Sequence, residues 1–348
     1  MTERALELAG VSKRFGSVEA LVGVDLALDA GEFLVVLGPT GAGKTTLLRT
    51  IAGLEVPDAG NVRLFGRDAE LIAPAQRDVA LVFQNFSLYP SSTVRENLAF
   101  PLRAPSRRLS AAEIDERVQW AARLLHVERL LDRPAKKLSG GEMQRVAIGR
   151  AIVRKPKLFL MDEPLNNLDA KLREELRVEL RELARELRTP VVWVTHDQAE
   201  ALTMADRVAL FVAGRVVQTG TPEAVYARPV SPLAARLLGT PPMNVIAVRR
   251  VDGAWTTDAG HALARAASVA PERATLGIRP EHVRLEGGAA EAVVLVVEDW
   301  GPERVLLARL GTLELHVLAP RDCALRAGDR FRPALDERRI VLWDPAPR

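Results

Sequence analysis

The sequence predicts an α/β unit built on a mostly parallel sheet, followed by a smaller β domain. Two observations carry this prediction. Short apolar runs at 33–37 (F-L-V-V-L), 158–161 (L-F-L-M) and 191–195 (V-V-W-V-T) alternate with segments of helical periodicity, the pattern of buried parallel strands joined by helices. After Gly239 the texture changes to short β-rich segments separated by turns, which predicts a separate barrel-like domain.

Residues 5–28 read as a strand pair, with alternating apolar positions at Val22, Val24, Leu26 and Leu28. The run 33–37 reads as a buried strand, followed by a glycine-rich turn and the helical stretch T-L-L-R-T-I-A-G-L, which ends on Gly53. Gly60-Asn61 suits a hairpin turn, and V-A-L-V-F at 79–83 reads as another buried strand. From about 88 to 155 helices are expected. Ser110 and Glu113 form a capping box. Ile114, Val118, Ala121 and Leu125 then share a helical face, and Asp132-Arg133-Pro134 is the expected stop. A second helix is expected from Glu142 to Arg154, before Lys155-Pro156. The segment 170–188 carries leucines at 172, 176, 180 and 183 in one stripe with charges paired at helical spacing, a solvated amphipathic helix. R-V-A-L-F-V at 207–212 is a further strand, and T-P-P-M-N at 240–244 reads as a linker.

The chain has 348 residues, 48% hydrophobic and 27% charged, with a net charge of +3; this is a globular composition with room for more than one domain. Its basic residues are interleaved with acids rather than clustered, which argues against a nucleic-acid surface. No run of eighteen or more apolar residues occurs, so no spanning helix is expected. The N-terminus lacks the pattern of a secretory signal, and Cys323 is the single cysteine; both fit a cytoplasmic location.

Three motifs carry chemistry. Residues 38–45, G-P-T-G-A-G-K-T, match the phosphate loop G-x-x-x-x-G-K-[ST] between a predicted strand and helix. The glycines let backbone N–H groups surround phosphate oxygens, Lys44 brings positive charge to the β and γ phosphates, and the Thr45 hydroxyl can coordinate Mg²⁺. L-F-L-M-D-E at 158–163 puts two carboxylates at the end of a strand, where α/β ligands bind. There Asp162 suits the Mg²⁺ shell, and Glu163 can accept a proton from attacking water. Gln84 and His196 end two other strands. Gln84 can touch Mg²⁺ or water and tether the loop N-F-S-L-Y-P, although spacing alone favours a polar strand end. His196 shares the predicted sheet edge with Asp162. A third motif, L-S-G-G-E-M-Q-R at 138–145, sets a serine and two glycines before a helix, an anion site without a lysine.

In this order the pieces resemble the ATP-binding cassette (ABC) ATPases. The resemblance rests on G-P-T-G-A-G-K-T-T, V-F-Q, L-S-G-G-E, L-F-L-M-D-E-P, N-N-L-D and V-T-H, and covers roughly residues 4–238. It implies a P-loop cassette, 1–238, with a RecA-like core and a helical subdomain at about 88–155. The remainder, 239–348, with P-P-M-N and L-G-I-R-P-E, resembles the regulatory β domain of maltose-type importer ATPases, implying a small OB-like β-barrel.

The resemblance implies a head-to-tail homodimer with two ATPs at its interface. Gly38, Pro39, Thr40, Gly41, Ala42, Gly43, Lys44, Thr45 and Thr46 would hold the phosphates, and Phe15 would stack on adenine. Ser139, Gly140, Gly141 and Glu142 of one copy would cap the γ-phosphate bound by the other. Thr45, Gln84 and Asp162 would hold Mg²⁺, Glu163 would be the general base, His196 the γ-phosphate sensor, and Asp169 would order the partner's site. Two departures stand out: Glu142 where the family more often has glutamine, and Asn166 where importers of this class often have serine.

The function so implied is the ATPase of an import complex at the cytoplasmic face of the inner membrane. Its partners would be two polytopic permease subunits and, indirectly, a solute-binding protein. The solute expected is a sugar or glycerol-3-phosphate, with polyamine, iron, sulfate and molybdate importers as alternatives. The loop after Gln84, with Phe86, Leu88 and Tyr89, would receive the membrane subunit. A soluble cassette ATPase acting on nucleic acid or ribosomes is the competing class; no second cassette or coiled-coil insertion supports it. His126, His261, His282 and His316 are assigned no role.

Overall fold

The computed structural model describes residues 4–83, 86–104, 108–166, 168–267 and 270–345. Two compact units form, 1–222 and 223–348; the expected boundary at 238/239 lies inside the second.

The first unit holds β1 (Arg4–Phe15), β2 (Val18–Asp29), β3 (Phe33–Leu37), α1 (Lys44–Ala52), β4 (Ala59–Leu64), β5 (Arg67–Asp68), β6 (Val79–Val82), α2 (Val94–Ala99), α3 (Ala111–Leu124), α4 (Gly140–Ile152), β7 (Leu158–Asp162), α5 (Ala170–Leu187), β8 (Val191–Thr195), α6 (Gln198–Met204), β9 (Arg207–Val212) and β10 (Arg215–Gly220). One antiparallel sheet has the order β2-β1-β4-β5, and a second sheet runs β10-β9-β3-β8-β7-β6. In the second, β9, β3, β8, β7 and β6 are mutually parallel, and β10 is antiparallel at one edge. Every residue of β3, β7 and β8 is buried, as expected of strands covered on both faces. Parallel order brings the loops after β3, β7 and β8 to one edge of the sheet.

Three local expectations are corrected. Gly60 and Asn61 lie within β4, where Asn61 pairs with Ala9 of β1. The hairpin turn is Phe65-Gly66, with φ 52° and 73°, the double positive φ of a two-residue primed turn. Gly60 serves a close approach instead: a Cβ there would lie 2.4 Å from the Gly10 backbone. The helix capped by Ser110 ends at Leu124 rather than at Asp132, because His126 turns into the left-handed region at φ 54°. The helix expected from Glu142 begins at Gly140 and ends at Ile152, with Ser139 as its N-cap.

Arg77 braces the C-terminus of the helix that follows the phosphate loop. Its guanidinium donates to the carbonyls of Thr50 (3.2 Å), Ile51 (2.9 Å), Ala69 (2.9 Å) and Ile72 (3.2 Å). Thr50 and Ile51 are buried in the last turn of α1, where carbonyls lack the usual helical donor; the Gly53 N–H reaches the Thr50 carbonyl (3.1 Å), and Arg77 supplies the further donors. Replacing Arg77 with Ala is expected to destabilise this unit by about 2–4 kcal/mol, from lost charged hydrogen bonds and orphaned carbonyls. The check is a denaturation midpoint compared with that of the unaltered chain.

The second unit holds α7 (Pro222–Ala227), α8 (Pro232–Arg236), β11 (Asn244–Val251), β12 (Ala254–Thr256), β13 (Ala262–Arg265), β14 (Arg273–Ile278), β15 (Val283–Arg284), β16 (Ala292–Asp299), β17 (Glu303–Leu310), β18 (Leu313–Pro320), β19 (Arg330–Phe331), β20 (Ala334–Leu335) and β21 (Val341–Trp343). They form sheets of order β13-β12-β11-β14-β21, β15-β20 and β18-β17-β16-β19 around one apolar core. The expected small β domain is thus present.

The G-I-R-P-E segment shows why α7 and α8 belong to this unit. Arg279 is buried; its guanidinium stacks on Tyr226, 3.9 Å from the ring centroid, and donates to the carbonyls of Tyr226 (2.8 Å), Ala235 (3.4 Å) and Leu238. The Tyr226 hydroxyl donates to Glu281 (2.7 Å), and burial with that carboxylate pushes its pKa up to about 12. The expected linker at 240–244 is in part a core element. Asn244 opens β11, donates from Nδ2 to the His316 carbonyl (2.9 Å) and accepts the His316 N–H (2.8 Å).

Candidate functional site

The loop after β3 is shaped by its glycines. A Cβ on Gly38 would sit 2.0 Å from the Phe211 carbonyl oxygen, and one on Gly43 would sit 2.1 Å from that of Ala20. Gly43 also has φ 101° as the residue preceding α1, a conformation costly for any side chain. The backbone is therefore drawn tightly around the entry to α1, whose unpaired N–H groups make an anion seat.

Beside it opens a cleft of about 550 Å³. Thr40, Gly41, Ala42, Gly43, Lys44, Thr45 and Thr46 line it, with Glu163, Asn166 and His196 on one side and Phe15, Val18 and Ala20 on the other. The Phe15 ring is 45% exposed, with Lys13 Nζ 5.4 Å from its centroid.

The charged groups at the sheet edge are joined. Lys44 is buried; its Nζ donates to the carbonyls of Gly38 (2.9 Å) and Pro39 (3.0 Å) and lies 3.3 Å from Glu163 Oε1. The other Glu163 oxygen faces His196 Nδ1 at 3.2 Å and accepts a hydrogen bond from Asn166 Nδ2. Glu163 has φ 45°, an uncommon conformation for a side chain of this size. Its N–H donates to the Val194 carbonyl (2.9 Å), continuing the β7–β8 ladder one residue past the strand. The backbone thus turns sharply at the residue whose carboxylate faces the cleft.

Asp162 stands one residue earlier and is buried. It accepts a hydrogen bond from Thr45 Oγ1 (3.2 Å). Burial pushes its carboxyl above the usual range; the Thr45 bond pulls it back, and neighbouring Glu163 pushes it further up. A carboxylate and a hydroxyl, both oxygen donors beside a phosphate seat, fit a hard divalent cation.

The sequence-predicted residues divide into those gathered at this edge and those elsewhere. Thr40 to Thr46, Glu163, His196 and Phe15 line the cleft, and Asp162 adjoins it through Thr45. Ser139, Gly140, Gly141, Glu142 and Asp169 do not line it. Ser139 caps α4 in a reciprocal box: its hydroxyl accepts the Glu142 N–H (3.3 Å), and Glu142 Oε2 accepts the Ser139 N–H (2.7 Å). The carboxylate that departs from the family's glutamine is therefore committed to its own helix, with Arg133 3.8 Å from its other oxygen. Asp169 caps α5 by accepting the Leu172 N–H (3.0 Å). Gln84 lies outside the described residues.

Sequence reading missed three supporting side chains. Glu200 of α6 is 1% exposed and accepts the Trp193 indole N–H (2.7 Å). Burial raises its carboxyl, while bonds from Trp193 and Thr195 lower it. The Thr195 hydroxyl also accepts the Asp197 N–H (2.9 Å), so this network brackets His196. Asn97 is fully buried and bonds Tyr89 N, Tyr89 O, Ser92 O and Thr93 O. Arg150 lies over the Tyr89 ring, 5.1 Å from its centroid, and donates to the Ser87 carbonyl. Together Asn97 and Arg150 hold the loop after Gln84. No local signal marks these three side chains, because each sits in a helix that carries other polar residues.

Comparison with known proteins accords with this geometry. The ABC transporter family matches residues 21–166. The sn-glycerol-3-phosphate import ATP-binding protein UgpC of Cupriavidus necator is 45% identical, covering 94% of this chain and 93% of that protein. The UgpC of Cereibacter sphaeroides is 44% identical, covering 97% of each. Among solved structures, the dimeric post-hydrolysis state of the ATP-binding cassette MJ0796 bound to ADP and Pi matches with a TM-score of 0.58 and 32% identity, covering 62% of this chain and 98% of that one. CbiO1 from Clostridium perfringens, part of the ABC transporter complex cbiONQ, matches with a TM-score of 0.60 and 28% identity, covering 65% and 91%. With near-full-length relatives at this identity and a nucleotide cleft of this form, the chain belongs to the ATP-binding proteins of ABC importers and is an ATPase.

Proposed function

We propose that the chain energises uptake of sn-glycerol-3-phosphate or a related sugar solute, as a head-to-tail homodimer on the cytoplasmic face of the inner membrane. The UgpC relatives support the solute class. The observation that carries the mechanism is the Lys44–Glu163–His196 cluster at the mouth of the phosphate loop.

ATP enters with its adenine against the exposed Phe15 ring and its phosphates on backbone N–H groups of 40–46. Lys44 exchanges its bonds to Gly38, Pro39 and Glu163 for the β and γ phosphate oxygens. Thr45 and Asp162, with Gln84, would hold Mg²⁺, which supplies positive charge against the phosphate oxygens. The Glu163 carboxylate, released from Lys44, accepts a proton from water as the water oxygen bonds to the γ-phosphorus. The bond from that phosphorus to the β–γ bridging oxygen breaks, and ADP leaves with the electron pair. His196, 3.2 Å from Glu163, stands where it can hold both the base and the γ-phosphate.

The signature residues lie off this cleft, which supports their acting on a second copy. The Ser139 hydroxyl accepts the Glu142 N–H and keeps its own proton for a γ-phosphate oxygen. Gly140 and Gly141 begin α4 with no side chain to obstruct that oxygen. Asp169, capping α5, orders the same seam. The permease subunits would dock at the loop braced by Asn97 and Arg150, where Tyr89 and Phe100 are exposed with ring centroids 4.5 Å apart and Phe86 and Leu88 are half-buried. Among the described residues no helix is long and apolar enough to cross a membrane, so the translocation path would come from those subunits.

Ser139→Arg is expected to abolish ATP turnover while ATP still binds the isolated monomer. Phosphate release and nucleotide titration measure the two separately. Intact turnover would refute capping in trans. Co-purification with a polytopic membrane protein, and glycerol-3-phosphate uptake lost when this chain is deleted, test the importer assignment. Salt-sensitive binding to DNA or RNA in its place would overturn it.

A further inference from the structure

The β-rich unit contains a second cleft, of about 640 Å³, remote in sequence from every nucleotide-binding motif. Its lining includes small and apolar side chains, among them Ala254, Ala264, Ala334 and Leu335. Three guanidinium-bearing side chains line it from three separate segments: Arg265 at the end of β13, Arg284 in β15 and Arg338 in the turn after β20.

Three other arginines of this unit are committed to partners. Arg279 is spent on carbonyls, Arg304 donates to the Cys323 carbonyl (2.6 Å), and Arg330 pairs with Glu291 (2.6 Å). Among the described residues, the side chains of Arg265, Arg284 and Arg338 make no ion pair or hydrogen bond. The two carboxylates lining the cleft are engaged with backbone. Glu337 Oε1 accepts the Arg265 N–H (2.9 Å), and Asp336 Oδ1 accepts the Arg338 N–H (3.1 Å). They fix the chain at two of the arginines, and three cations face two anions.

The wall of the cleft is built rather than incidental. Gly288 donates its N–H to the Arg332 carbonyl (3.0 Å), and a Cβ on it would fall 1.9 Å from the Pro333 carbonyl oxygen. Glycine at this position lets the loop after β15 close against the strand pair. Arginines lining one cleft from three segments suit a tetrahedral oxyanion, because a guanidinium fork can take two oxygens of one phosphate. We propose that this cleft binds a small phosphate-bearing anion, with the alanines of its lining receiving whatever carbon skeleton the phosphate carries.

The proposal does not depend on the roles given to Glu163 or Lys44. Its test is calorimetric titration of the full chain, with the phosphate loop saturated by a non-hydrolysable ATP analogue. Inorganic phosphate, sn-glycerol-3-phosphate and succinate are the probes. One phosphate-bearing probe is expected to bind per chain, at least tenfold more weakly in the Arg284→Ala/Arg338→Ala variant, with ATP affinity and melting temperature unchanged. Tighter binding of the glycerol ester than of inorganic phosphate identifies a phosphate monoester as the ligand; equal binding identifies the bare anion. If the double variant melts early, Arg338→Lys keeps the charge without the fork and is expected to weaken binding in a folded chain. No saturable binding, binding indifferent to these substitutions, or succinate binding as tight as phosphate would each overturn the proposal.

Discussion

Glu163→Gln is expected to slow ATP hydrolysis by about a hundredfold or more, the usual size of a lost general base, while ATP still binds. The substitution preserves side-chain length at the φ 45° turn and keeps one oxygen acceptor, which serves either Lys44 or Asn166 while an amide NH₂ takes the other place. It removes the capacity to take the proton of attacking water. Binding without turnover would favour the closed dimer, visible as a doubling of mass in the presence of ATP and magnesium. Single-turnover phosphate release and an ATP titration on the same preparation separate the two effects. Near-normal turnover would remove Glu163 from the role of base.

Lys44→Ala is expected to weaken ATP binding by about ten- to a hundredfold, the range of a lost charge-assisted hydrogen bond. In the nucleotide-free chain Lys44 neutralises Glu163 across 3.3 Å and spans the Gly38 and Pro39 carbonyls. Its loss removes the phosphate contact and leaves a half-buried carboxylate facing the incoming triphosphate. Both changes act in the same direction. Unchanged nucleotide affinity by equilibrium titration would contradict the phosphate-loop assignment.

What could be read from the sequence and what could not divide along sequence separation. The apolar runs 33–37, 158–161 and 191–195 betray buried strands, and the residues that follow each run lie at one sheet edge once the strands are parallel. Lys44, Asp162, Glu163 and His196 were therefore legible, because each is adjacent to a strong local signal. The capping box at Ser110 is written within four residues and is read directly; that at Ser139 has the same spacing, but its serine and glycines read first as an anion site. Arg77, Asn97, Arg150 and Glu200 could not, because their partners come from other elements and each side chain alone resembles a surface residue. Gly60-Asn61 misled for a related reason. Its composition is that of a hairpin, but the positive φ at Gly60 serves an irregularity in the β1–β4 ladder. The Asn166 departure was visible in sequence, whereas its bond to Glu163 was not.

The Arg279 cluster bears on how the chain can be cut. A cassette fragment ended at residue 238, the boundary suggested by composition, would retain two short helices while discarding the cation that binds the carbonyls of Tyr226, Ala235 and Leu238. The matching β fragment would retain a buried guanidinium stripped of its acceptors. Expression of either half is better served by a break near Pro222, where both pieces keep their internal polar pairings.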